Sequence, residues 1–169
     1  MKVTNIFLDL LISWLERYGV DDLAVGIDNE FCYNLENNQI TIGVLDFPQV
    51  NEWTEEYWRK LGLDWIDLNP LVLKFLHELG HHFTLGQFSE LDLLLLNLSK
   101  PTIDLDAADA KEKMIKYWET PDEDAATRWA IQFIHDEGER VGELQDLFNI
   151  CWNSVLDEVC APPEEDNYV

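Results

Sequence analysis

The chain has 169 residues, 47% of them hydrophobic, with seven Trp, eight Phe and five Tyr, which is enough for one well-formed core and short for two. The formal net charge of −23 is spread over both halves, 14 acids against 5 bases in residues 1–84 and 20 against 6 in residues 85–169. No Lys/Arg patch exists to neutralise phosphates, which excludes nucleic acid and anionic membranes as partners and leaves solubility, or attraction of a basic partner, as the use of the charge.

In chain order, Thr4 is expected to cap a first helix whose 3.6-period face carries Phe7, Leu10, Leu11, Trp14, Leu15 and Tyr18, with Gly19 closing it. The run is not a signal peptide, because Asp9 interrupts it and no small-residue cleavage site follows. The period then changes to two: Leu23, Val25 and Ile27 alternate, then Phe31 and Tyr33, then Ile40, Ile42 and Val44 after the turn "ENN". That pattern predicts a small three-stranded antiparallel sheet with at least one short hairpin. A short helix follows a loop at Pro48, and Asn69-Pro70 is a helix start, an N-cap with proline at the first helical position. From there helices are expected over about 70–84, 87–98, 106–119, 121–136 and 138–159. "LDLLLLNL" (Leu91–Leu98) is too short to span a bilayer. Cys32, Cys151 and Cys160 form no CxxC pair, which fits free thiols in a reducing compartment. A soluble, cytoplasmic protein is expected, of α+β class, with one domain over 1–160 and a flexible acidic tail over 161–169.

One stretch does not fit a purely structural helix. "HELGH", His77 to His81, matches HExxH. Residues four apart on a helix lie about 40° apart around its axis and about 6 Å apart along it, so two imidazoles can close on one tetrahedral zinc. Glu78, about 100° round from His77, can reach a zinc-bound water without being a ligand and take its proton as general base. Val72, Leu76, Leu79 and Phe83 form an apolar stripe beside these residues. Gly80 costs about 1 kcal/mol in a helix interior relative to Ala, and close approach of another backbone would offset that. Two His satisfied within the core are the bland alternative. The paired spacing, a Glu in the right slot and a mid-helix Gly together favour a metal.

A catalytic zinc needs a third protein ligand. The metzincin pattern is excluded, because Thr84 and Gln87 stand where Gly and His are required. His82 points about 100° away from His81, and His135 lies far along another helix. The better candidate is Glu123 in "TPDEDAATRWAIQFI", which shares a stripe with Thr127, Ala130 and Ile134 and so points coreward, costly for a carboxylate unless a cation waits there. Ala126 and Ala130 are small enough for this helix to lie close to the motif helix, and Thr127 could take the Nδ1–H of a ligand His and fix its tautomer. Two alternatives stand beside that assignment. Thr120-x-x-Glu123 is also a capping box, and Glu119 is the next carboxylate available as ligand.

"HELGH" followed by "PDEDAATRWA" resembles the gluzincin-type ImmA/IrrE metallopeptidases, with about 40 residues between the motifs, longer than usual for that family. The resemblance implies a zincin-like fold, His77, His81 and Glu123 as zinc ligands, Glu78 as general base and hydrolysis of a peptide bond in a protein substrate such as a regulator or repressor. Thr127 stands where the family often has Asn or Asp. Members are often carried by phages and mobile elements. The leading expectation is therefore a zinc-dependent endopeptidase, with Gln39–Val44 as the edge strand that holds an extended substrate, itself favoured if basic. The competing expectation is a non-catalytic acidic binding protein, a DNA mimic or decoy for a basic partner, with a structural or vestigial zinc site.

Overall fold

In the computed structural model, which describes residues 2–161, the first helix, α1 (Val3–Glu16), buries Phe7, Leu11, Trp14 and Leu15. Thr4 does not cap it: Lys2 stands in the cap position, two residues earlier, and no side chain closes the helix end from within. The backbone N–H of Thr4 donates instead to Glu158 Oε2 at 2.9 Å. A carboxylate from the far end of the chain thus satisfies a free donor at the positive end of the helix dipole. Gly19, at φ +73°, turns the chain out of the helix, with Val20 N–H donating to Leu15 O at 3.1 Å.

Three strands follow, β1 (Ala24–Asp28), β2 (Cys32–Asn34) and β3 (Gln39–Gly43), in the spatial order β1-β3-β2. The β2–β3 hairpin is antiparallel, but β1 pairs with β3 in parallel, with Ile27 opposite Ile42. The sheet is mixed, which corrects the antiparallel expectation. Alternating hydrophobicity marks a strand without naming its neighbours. The chain leaves β1, crosses the end of β3 through residues 29–31 and returns as the hairpin. Gly43 permits the crossing, since a Cβ there would lie 2.5 Å from the Phe31 amide nitrogen and 2.7 Å from the Glu30 carbonyl carbon. β3 is bonded on both sides, so Gln39–Val44 is not a free edge; β2 is one, and it is the edge nearer the motif helix.

The remaining elements are helical: α2 (Pro48–Lys60), α3 (Pro70–Thr84), a 3-10 turn over Leu85–Gln87, α4 (Glu90–Ser99), α5 (Ala110–Trp118), α6 (Pro121–Asp136) and α7 (Gly138–Val159). The protein is therefore α+β, an N-terminal helix and small sheet followed by helices. α4 starts at Glu90 rather than 87, because Ser89 and Asp92 form a reciprocal capping box. The expected tail lies outside the described residues apart from Ala161. Among the described residues no helix is long and apolar enough to cross a membrane.

The motif helix α3 is anchored at its N-terminal end and on two sides. The Asn69 side chain accepts Leu71 N–H at 2.9 Å, and Pro70 occupies the first turn. Val72, Phe75, Leu76 and Leu79 are sealed in the core, where the Phe75 ring meets Trp14 of α1 and Phe148 of α7. On the other side α6 lies against α3 backbone to backbone. A Cβ on Gly80 would come within 3.0 Å of both the Cα and the carbonyl carbon of Ala126. Ala126 and Ala130 are fully buried in this contact.

A substitution at that contact separates propensity from packing. Gly80→Ala should favour the isolated helix by about 1 kcal/mol, yet overpacking of this kind costs about 1–3 kcal/mol. Chemical denaturation should show a net loss of stability, whereas a stabilised variant would mean that the helices are not in backbone contact.

Candidate metal centre

Three side chains from α3 and α6 converge. His77 Nε2 lies 2.9 Å and His81 Nε2 3.3 Å from the same oxygen, Glu123 Oε2. The two imidazole rings are 4.7 Å apart and nearly perpendicular, at 83°. One donor atom from each residue falls within 4.8 Å of the other two, so the group could hold a metal ion. Ligands at about 2.0–2.1 Å in a tetrahedral shell stand about 3.3 Å apart, so the donors need only small adjustments to close on one ion. Glu123 is buried, at 4% exposure, which decides between its two roles. It turns inward rather than back onto the helix cap, and the Thr120 hydroxyl donates to Tyr117 O instead of capping α6. Glu119 is exposed at the end of α5 and outside the group.

Thr127 completes the geometry, its Oγ1 standing 3.1 Å from His77 Nδ1. It sits one turn along α6 from Glu123, so one helix face both supplies the carboxylate and orients the imidazole that meets it. Among the described residues His81 has no such support, and its Nδ1 is buried without a partner. Glu78 lines the adjoining cleft together with Tyr33 of the edge strand β2. His82 and His135 stay outside the group. The former pins the hairpin through Asn38 Oδ1 at 2.9 Å, and the latter reaches Gly62 O at 3.1 Å.

The electrostatics follow from this burial. Burial pushes the Glu123 carboxyl up, but the hydrogen bonds and charges of His77 and His81 outweigh it and hold the group well below the usual carboxylate range. For His77, burial pulls the value down, while the Glu123 hydrogen bond and the charges of Glu78 and Glu123 bring it above normal. Burial raises the Glu78 carboxyl, opposed by the two imidazoles. Burial and the nearby Glu123 together push the Tyr117 phenol far up, so it stays protonated at neutral pH.

Tyr117, whose place just before the Glu123 helix makes it a conceivable oxyanion stabiliser, lines the cleft, and Lys100 joins the group without any pattern in the sequence that assigns it a role there. Lys100, at the end of α4, donates from Nζ to Asp122 Oδ2 and Glu123 Oε1, both at 2.6 Å, and lies 4.8 Å from the centre of the Tyr117 ring. Its ammonium is therefore enclosed by two carboxylates and a π-face. It leaves Glu123 Oε2 free for the imidazole side. The one signal in the sequence is that Lys100 is the sole base between Lys74 and Lys111, placed where an apolar helix meets Pro101. Lys100 offsets only one of the two carboxylates it joins, so the Asp122–Glu123 pair keeps a negative charge turned toward the imidazoles, where a cation would be favoured.

Two substitutions test this arrangement. Thr127→Val should weaken metal binding about 10–100-fold, read by competition with a chromophoric chelator, while Glu123→Ala abolishes tight binding and Glu119→Ala leaves it unchanged. Lys100→Met strands two buried carboxylates and should cost the metal-free protein about 3–5 kcal/mol by chemical denaturation. A loss no larger than that of an exposed ion pair would remove Lys100 from the arrangement.

Comparison with known proteins leaves these residues to be judged on their own geometry, because no family model matches the chain and neither a curated protein nor a solved structure does.

Proposed function

We propose that the protein is a zinc-dependent endopeptidase with a zincin-like site, in keeping with the resemblance to the ImmA/IrrE metallopeptidases. The observation that carries this reading is the convergence of His77, His81 and Glu123 on one point at the wall of an open cleft, with the unligated carboxylate of Glu78 beside it. His77, His81 and Glu123 would hold the ion through two nitrogens and one oxygen, a donor set suited to zinc that leaves a fourth position open. Zinc, when bound, would polarise a substrate carbonyl and acidify a water.

The chain's own residues supply the rest. Glu78 takes a proton from the attacking water and passes it to the leaving amine, a role helped by the burial that raises its carboxyl. Thr127 keeps the His77 ring turned toward Glu123. The cleft of about 310 Å³ runs between β2 and α4, with Tyr33, Leu93 and Tyr117 among its walls. An extended peptide can add to the free edge of β2 there, which replaces β3 as the docking strand.

The acidic surface favours a second reading, a decoy for a basic partner, since −23 is far more than solubility requires. One variant separates the two. Purified protein should contain about one zinc per chain, and Glu78→Gln should keep fold and zinc while proteolysis of a basic candidate substrate falls about 10²–10⁴-fold. Equal cleavage by wild type and Glu78→Gln would refute the mechanism. Tight, salt-sensitive binding with no cleavage by either protein would establish the decoy.

A further inference from the structure

Nine of the eleven basic side chains lie in ion pairs, as a chain with this excess of acid should arrange. A tenth, Lys2, is exposed at the start of α1. Lys74 alone is both partly withdrawn from water and without a carboxylate partner or hydrogen bond among the described residues. It belongs to the motif helix, one turn before His77 and Glu78, and its Nζ lies 5.7 Å from the centre of the Phe31 ring. Burial lowers its pKa, and Asp46 offsets this only in part from a distance.

The place it occupies is a second cavity of about 240 Å³, across the site from the β2–α4 cleft. His77, Glu78 and Glu123 form its inner wall, and Val50, Thr54 and Trp58 of α2 form its outer one. The Trp58 ring lies 6.3 Å from that of His77. The cavity therefore opens directly on the candidate centre and, away from that inner wall, its one charge is an ammonium. A half-buried charge with no counter-ion is costly to keep. In a protein rich in surface carboxylates, any of which could have been placed opposite it, the missing partner is best supplied by a ligand.

The geometry points to a substrate subsite in which Lys74 receives a carboxylate next to the bond to be cleaved, with the α2 wall packing on the adjoining methylenes. This rests on the metallopeptidase reading and adds a specificity to it. The carboxylate is either an Asp or Glu side chain or the free C-terminus of the peptide, two sources with one chemistry. The acidic surface does not forbid it. Exposed charges are screened over about 8 Å at physiological ionic strength, whereas a contact inside the cavity is screened much less. A substrate can be basic along its length and acidic at this one position.

Zinc-loaded protein and phosphinic pseudo-tetrapeptides provide the test. The peptides carry Glu or Gln at each residue flanking the phosphinate, and end in a carboxylate or an amide. We expect one carboxylate to tighten binding about tenfold over its neutral isostere, the worth of one charge-assisted contact. Glu at a flanking position would identify a side-chain carboxylate, and the terminal acid a free C-terminus. The preference should vanish in Lys74→Met, which breaks no ion pair, and turn toward Lys over Gln at that position in Lys74→Glu. Circular dichroism and zinc content of both variants should match wild type. If the peptides bind without discrimination, or the preference survives in Lys74→Met, Lys74 only covers Phe31 with its stem and the subsite is wrong while the peptidase reading stands. If the zinc-loaded protein binds none of the peptides, the peptidase reading falls and the subsite with it.

Discussion

A carboxylate kept almost out of water between two imidazoles is the constraint on which the rest of the structure depends. Glu123 is 4% exposed, and an isolated anion so placed would cost several kcal/mol or take up a proton. It is held by His77 and His81 on one oxygen and by Lys100 on the other. Those contacts exist only because α3 and α6 lie closer than side chains on both would allow. Gly80 and Ala126 are the two residues that permit this approach. Adding one methyl group to α3 would move the carboxylate as surely as substituting the carboxylate itself.

The core explains how that contact stays fixed. α3 presents Phe75, Leu76 and Leu79 to one side and His77, His81 and Glu78 to the other, so one helix belongs both to the hydrophobic cluster and to the site. Phe75 is gripped by Trp14 and Phe148, and Phe148 in turn meets Phe7 at 5.3 Å edge to face. Aromatic pairs of this kind add about 0.5–1.5 kcal/mol each beyond area burial. The seven Trp and eight Phe do more than fill volume. Trp14 and Phe148, closing on Phe75, fix the rotation of α3 about its axis, which sets where the imidazoles point.

How much of the fold and the site is legible in the sequence depends on how local each signal is. The i, i+4 imidazoles, the Asn69-Pro70 start and the small residues facing Gly80 are properties of single helices, and all three are found as expected. Glu123 is ambiguous in sequence for a physical reason: the third residue of a helix suits both a capping box and an inward carboxylate. The direction of its side chain is decided by a second helix that the local pattern does not contain. The sheet order is illegible because a period of two specifies which face is buried and nothing about neighbours. Gly43 is the only local trace of the crossing strand connection, and glycine also ends strands that no chain crosses. Lys100 lies 23 residues from Glu123 in a segment whose leucines draw attention away from it. Ion pairs between separate helices leave no periodicity to read.

The distribution of the charges matters more than their sum. Most bases are spent on exposed pairs with helix neighbours, such as Arg59 with Glu55 or Lys116 with Glu112, which contribute little to stability. Two lysines are treated differently. Lys100 is locked between two carboxylates and serves the arrangement of the site, while Lys74, among the described residues, forms no ion pair in a cavity whose inner wall is the same site. A surface evolved only for solubility or for decoy binding has no reason to withhold a counter-ion from one lysine beside two imidazoles. A site that must accept and release a carboxylate has that reason, because a resident acid would occupy the place the ligand needs.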